Sequence, residues 1–119
     1  MLSKKEIYER VCAHLLAQGA VSEDDNGSCR LRCEDGRRCA IGSLISDEIY
    51  CPNIEGIGIS YYQHASDGAL LHMLYASNVN AYDQETMALL IELEVVHDDA
   101  CVTEWPKLLL DIGQCHAFI

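Results

Sequence analysis

The ten residues MALLIELEVV, positions 87 to 96, constrain this chain more than any other segment. Met87, Leu89, Leu90, Ile91, Leu93, Val95 and Val96 leave almost no polar side to a helix drawn through them. A helix apolar on most of its faces cannot lie on a protein surface; other elements have to surround it. The pattern therefore predicts a helix from Asp83 to about Val96 as the central, most buried element of a small helical domain.

Three further helices follow from periodicity and end signals. Ser3 and Glu6 have the spacing of a capping box, in which each side chain satisfies the other residue's backbone N–H. Behind them Ile7, Val11, Cys12, Leu15 and Leu16 form one apolar stripe, and Gly19 supplies a stop. A second helix is expected over about 66 to 77, capped by Ser66 or Asp67, with Leu70, Leu71, Leu74 and Tyr75 inward. The last follows Thr103, with Trp105, Leu108, Leu109 and Ile112 on one face, Pro106 in the first turn and Gly113 as its end.

Between the first two lies CRLRCEDGRRCAIGSLI, residues 29 to 45. Cys29, Leu31 and Cys33 alternate with Arg30 and Arg32, a strand period, and Glu34-Asp35-Gly36 is turn chemistry. A small β-hairpin near 28–39 is expected, preceded by the polar loop SEDDNGS. CAIGSLI reads as helical or tightly packed, and SDEIYCPNIEG as an irregular or 3₁₀ excursion broken by Pro52. No repeat, linker or low-complexity tract divides the chain. The expected fold is a single domain over 1–119, mainly α with about four to five helices and one small hairpin, α+β in class.

The segment from 29 to 56 resembles one shared by small uncharacterised proteins of phages, prophages and bacteria. Their pattern is Cys-x-aromatic-Arg, a Gly-containing turn, a basic residue, Cys-Ala-Ile/Val-Gly-Cys-Leu-Ile-Pro-Asp, then Tyr, Pro and Glu-Gly. Cys29, Arg32, Gly36, Arg38, Cys39, Ala40, Ile41, Gly42, Leu44, Ile45, Asp47, Tyr50, Pro52, Glu55 and Gly56 fit it. Leu31 stands where an aromatic is usual, Ser43 where a Cys is, and Ser46 where a Pro is. The start KKEIYERVCAHLLAQG and the stretch Leu93 to Asp98 are also similar. The resemblance implies a phage or prophage origin and carries no assigned chemistry.

Charge narrows the functions open to the chain. The formal net charge is −11, and Arg30, Arg32, Arg37 and Arg38 are half of the eight basic residues. Outside that segment the acids face only Lys4, Lys5, Arg10 and Lys107. Direct nucleic-acid binding needs a net basic footprint, so it is not expected. The longest apolar run, MALLI, is far short of the ~20 residues of a membrane span. MLSKKEIYER is charged where a signal peptide needs apolar residues. Seven cysteines, an odd number without an export signal, are expected as reduced thiols in a cytoplasm.

Several constellations could carry chemistry. Cys29, Cys33 and Cys39 offer thiolates for zinc, but no second close pair follows them and Cys29 and Cys33 fall on the apolar face of the expected strand. Cys39, at the start of an expected helix and beside Arg37 and Arg38, has the setting of an activated thiol, with His97 as base and Asp98 or Asp99 as its orienting carboxylate. The sequence has no nucleotide-binding or common hydrolase motif, and no cofactor is implied. Arg30, Arg32, Arg37 and Arg38 are either internally paired or a fork for carboxylates and phosphates. The leading expectation is a non-enzymatic binder, monomer or homodimer. Its partner-binding residues would be these arginines with Glu92, Glu94, Asp98 and Asp99, and acidic faces, including Glu23-Asp24-Asp25, would cover a basic surface of a host protein. A nucleic-acid-handling complex is the natural target, which makes the protein anti-CRISPR-like. The alternatives are a cysteine-dependent enzyme and a zinc-stabilised module.

Overall fold

A computed structural model describes all of residues 1–119. It contains four α-helices and no β-strand: α1 (Lys4–Gln18), α2 (Ala69–Ala76), α3 (Gln84–Asp99) and α4 (Trp105–Cys115). Short 3₁₀ turns punctuate the rest, at Gly42–Leu44, Pro52–Ile54, Ile59–Tyr62 and Val102–Glu104. No helix is long and apolar enough to cross a membrane.

Helix α1 begins on the expected capping box: Ser3 Oγ accepts from the Glu6 N–H at 3.1 Å and Glu6 accepts from the Ser3 N–H at 3.0 Å. It ends on Gly19 in the left-handed region, φ 60°. Helix α3 starts at Asp83, whose carboxylate takes the Thr86 N–H and hydroxyl, both at 2.9 Å. Met87, Leu89, Leu90, Leu93 and Val96 of α3 are buried, and α3 packs against both α1 and α4. The central helix is thus where its apolar residues require it. Ile91 is only half-buried, however, and Val95 is exposed.

Two helix ends differ from expectation. Helix α2 starts after Gly68, and Asp67 turns its carboxylate onto the Gly68 N–H instead of capping the helix. Gly113 does not stop α4 but lies inside it, where a Cβ would collide with the Tyr8 ring. The Tyr8 hydroxyl donates to the Leu109 carbonyl at 2.6 Å, so α1 and α4 meet through this glycine. Tyr75, expected inward, is half-exposed and meets Tyr82 edge-on.

The larger correction concerns the hairpin near 28–39, and with it the α+β class. The segment forms two isolated antiparallel bridges, Glu23 with Cys29 and Arg32 with Arg38, and no ladder. The turn itself is as expected: the Cys33 N–H donates to the Arg37 carbonyl at 2.8 Å, and Gly36 has φ 96°. What prevents strands is competition for the backbone. The Leu31 and Arg32 N–H groups both donate to the Glu55 carboxylate, at 2.8 and 3.0 Å. The Arg30 carbonyl accepts from Ser22 Oγ at 2.7 Å, and the Arg32 carbonyl from Arg30 Nε at 3.1 Å. Side chains have taken the groups a second strand would use. The fold is all-α, with a long irregular segment between α1 and α2 held to the helices by polar side chains.

Gly42 explains how tightly that segment packs. A Cβ there would overlap the Leu31 carbonyl, while the Cys39 N–H donates to the same oxygen at 3.1 Å. Ala40 and Ile41 beside it are fully buried against the core. The small residues of CAIG let the turn lie directly on the backbone of residue 31.

Candidate functional site

Met87, Leu90, Glu94 and His97 recur at helical spacing, so the buried stripe of α3 ends in two titratable groups. His97 is fully buried, with its ring 5.6 Å from that of Trp105. Its Nε2 accepts from the Ser22 backbone N–H at 2.9 Å. A backbone amide only donates, so Nε2 carries no proton and a neutral ring holds its proton on Nδ1. That Nδ1–H donates to Asp98 Oδ1 at 2.7 Å. Ser22, itself buried, also binds the Arg30 carbonyl, so one serine ties the irregular segment to the end of α3.

Around this histidine the structure gathers Cys29, Cys39, Glu94 and Asp98. Together with Leu31 and residues 55 to 58, these four line a cavity of about 200 Å³. Glu94 Oε2 lies 3.4 Å from His97 Nδ1, is buried, and has no hydrogen-bond partner. Glu94 Oε1 has the Ile41 N–H at 3.4 Å. Burial, then the Asp98 charge, pushes the Glu94 carboxyl up to about 7. The Cys29 thiol is pushed up to about 12 by desolvation first, then by Asp98 and Glu94. Burial and Glu94 likewise raise the Cys39 thiol well above its ordinary value.

These facts run against the activated-thiol expectation. Cys39 precedes a three-residue 3₁₀ turn, not an α-helix, and its side chain is 2% exposed. Its Sγ accepts from the Gly42 N–H at 3.3 Å, the one contact that favours the thiolate, against burial and a carboxyl that oppose it. His97 has no free ring nitrogen with which to take a proton from a thiol. The arrangement holds thiols protonated, the reverse of nucleophile activation.

The thiol trio expected for a metal is also divided. Cys33 turns to Ser22 Oγ and the Glu23 carbonyl, both at 3.3 Å, away from the cavity that Cys29 and Cys39 line.

The four arginines are spent internally. Arg32, with a side chain 14% exposed, lies 4.6 Å over the Tyr50 ring, donates to the Ile45 carbonyl and pairs with Asp47 at 2.9 Å. Arg38 shares Asp47 at 3.1 Å. Arg30 Nη2 is 3.8 Å from Glu55. Arg37 pairs with Asp35 at 2.9 Å and donates to the Val21 and Glu23 carbonyls. Glu55, which also accepts from the Tyr50 hydroxyl, is the hub of this network.

Among the acids expected to bind a partner, Glu94 is therefore not on a surface at all. Glu92 is exposed and faces His116 at 3.2 Å, and Asp98 and Asp99 are exposed as well. The structure does bring together Glu23, Asp24, Asp25, Glu34 and Asp35, from two neighbouring turns of the irregular segment. With Arg30, Arg37 and Cys33 they line an open groove of about 340 Å³.

Sequence reading gave no role to Ser22, or to Glu55 beyond its place in the resemblance, and missed the burial of Glu94. The last was visible in the period, since Glu94 follows Met87 by seven residues and Leu90 by four. Nothing in the local pattern announces Ser22 or Glu55, whose partners lie 75 and 24 residues away. No family model matches the chain, and no curated protein or solved structure shows a significant likeness to it.

Proposed function

We propose that the protein is a non-enzymatic binder that docks its acidic surface onto a basic face of a host protein. One observation carries this reading: the arginines are committed to intramolecular partners, so most of the negative charge at the surface has no basic counterpart. The groove of Glu23, Asp24, Asp25, Glu34 and Asp35 concentrates that charge. Its two arginines are already bonded to Asp35, Glu55 and backbone carbonyls. Such a surface steers association with a positive patch and selects against acidic competitors. The resemblance of residues 29–56 to phage and prophage proteins supports a target in a host nucleic-acid-handling complex, blocked where it would hold nucleic acid, as an anti-CRISPR-like inhibitor does.

Asp25 and Glu34 are the residues to change, because both are exposed and neither makes a hydrogen bond within the chain, whereas Asp24 holds the Asn26 and Ser28 N–H groups. Tagged wild-type protein is expected to capture a basic protein from host lysate, and the Asp25→Lys/Glu34→Lys variant to lose it while melting at the same temperature. Equal capture by the variant would remove the groove from the account.

A further inference from the structure

The cavity at the end of α3 holds a feature that partner binding does not use. One donor atom each from Cys29, His97 and Asp98 lie within 4.8 Å of one another. Glu94 Oε2 is 3.4 Å from the same His97 Nδ1 that meets Asp98 at 2.7 Å. A thiol and two carboxylates thus surround one edge of one imidazole. A buried carboxylate oxygen without a partner is costly and calls for an explanation such as an ion. Glu94 Oε2 is such an atom, and Glu94, 7% exposed, lines the cavity.

We infer that the protein binds one zinc-type divalent cation through Cys29 Sγ, an Asp98 carboxylate oxygen and Glu94 Oε2. His97 serves this site without ligating. With Nε2 engaged by the Ser22 N–H, its Nδ1 carries the proton and holds Asp98 in place, the reverse polarity of a ligating imidazole. One sulfur and two oxygens select a borderline-soft ion over calcium or magnesium, which demand six or more oxygens. Tetrahedral zinc needs donors about 3.5 Å apart, so the Cys29 and Asp98 donors, within 4.8 Å of one another, close by roughly 1 Å, Glu94 Oε2 turns toward them from its place 3.4 Å from His97 Nδ1, and the fourth position is left to solvent. Arg30 is also on the wall, but its guanidinium is turned to Glu55 and the Arg32 carbonyl and does not neutralise Asp98 or Glu94. Exposed Cys29 gives the ion a path in, and its thiol proton, together with the proton of the Glu94 carboxyl where that group is neutral, is released to solvent as the metal–ligand bonds form.

Cobalt(II) reports this site directly, because a thiolate ligand gives an intense sulfur-to-metal charge-transfer absorption. Reduced, chelator-stripped protein titrated with cobalt should show that band saturating at one ion per chain. Zinc should bleach it and raise the melting temperature. Cys29→Ser, a surface change that leaves the core intact, should abolish the band. Glu94→Gln and Asp98→Asn should each weaken zinc binding at least tenfold. Cys101→Ser/Cys115→Ser, which removes two exposed thiols elsewhere, should bind as the wild type does. The inference is overturned by the absence of the band at saturating cobalt, or by a band that survives Cys29→Ser. It is equally overturned if zinc affinity is unchanged in both carboxylate variants.

Discussion

Replacing Glu94 by Gln should change how stability depends on pH. In the unfolded chain Glu94 titrates near its ordinary value of 4.5, and in the fold at about 7, raised first by burial and then by Asp98. Below 4.5 the carboxyl is protonated in both states and contributes no penalty. As pH rises through 7 the folded protein must ionise a carboxyl surrounded by Cys29, Cys39, the Asp98 carboxylate and a neutral His97 whose only N–H is already given to Asp98. The stability that the neutral carboxyl provides is therefore lost between pH 4.5 and about 7. At ~1.4 kcal/mol per pH unit of separation, the loss above pH 7 is about 3 kcal/mol. The amide introduced by Glu94→Gln keeps an oxygen for the Ile41 N–H and cannot ionise. Urea unfolding of both proteins at intervals from pH 4.5 to 8, with a chelator present, reads the effect as the difference between the two, since the titrating groups away from this cavity are common to both. The variant should be equal to or below the wild type at pH 4.5 and gain on it steadily to pH 8. A difference that stays constant across the range would refute the reasoning and place Glu94 in contact with water.

Other substitutions separate packing from pairing. Leu90→Ala, fully buried in α3, should cost about 2–5 kcal/mol by denaturant unfolding, and Val95→Ala on the same helix within ~0.5 kcal/mol. Arg32→Ala should cost about 1–3 kcal/mol, because it strips the Ile45 carbonyl, Asp47 and Tyr50 of a buried partner, whereas Arg30→Ala should stay within ~1 kcal/mol. Glu55→Ala should orphan the Leu31 and Arg32 N–H groups at about 1–3 kcal/mol each and speed hydrogen exchange at those two amides before others. In native protein near neutral pH, iodoacetamide should modify exposed Cys101 well before Cys39, and the order should vanish on unfolding.

The helices were legible because each rests on local rules. The capping box at Ser3, the apolar content of residues 87 to 96 and the Trp105–Ile112 face are written within a few turns of chain. The segment from 29 to 39 was misread for the same reason. Its alternation of Cys, Leu and Arg is a true extended pattern, but whether an extended chain becomes a strand depends on where its backbone groups go. Here they go to Ser22 and Glu55, outside the window in which alternation is judged. The arginines were read as either paired or available, and only Tyr50, Asp47 and Glu55 folding back onto them decides between the two. His97, expected as the base for a thiol, is engaged at both ring nitrogens, Nε2 by a serine amide that no spacing could reveal.

The claim that charge on the acidic groove drives association is tested most directly by salt. The dissociation constant of the captured partner should be measured for wild type and Asp25→Lys/Glu34→Lys from about 50 to 500 mM salt, across which the screening length falls from roughly 14 to 4 Å. The wild-type affinity should weaken steeply over that range, through a slower association rate first, and the variant should be weak throughout with a much flatter dependence. An affinity that does not fall with salt, or a variant that binds as the wild type does, would contradict an electrostatic docking surface at Glu23, Asp24, Asp25, Glu34 and Asp35.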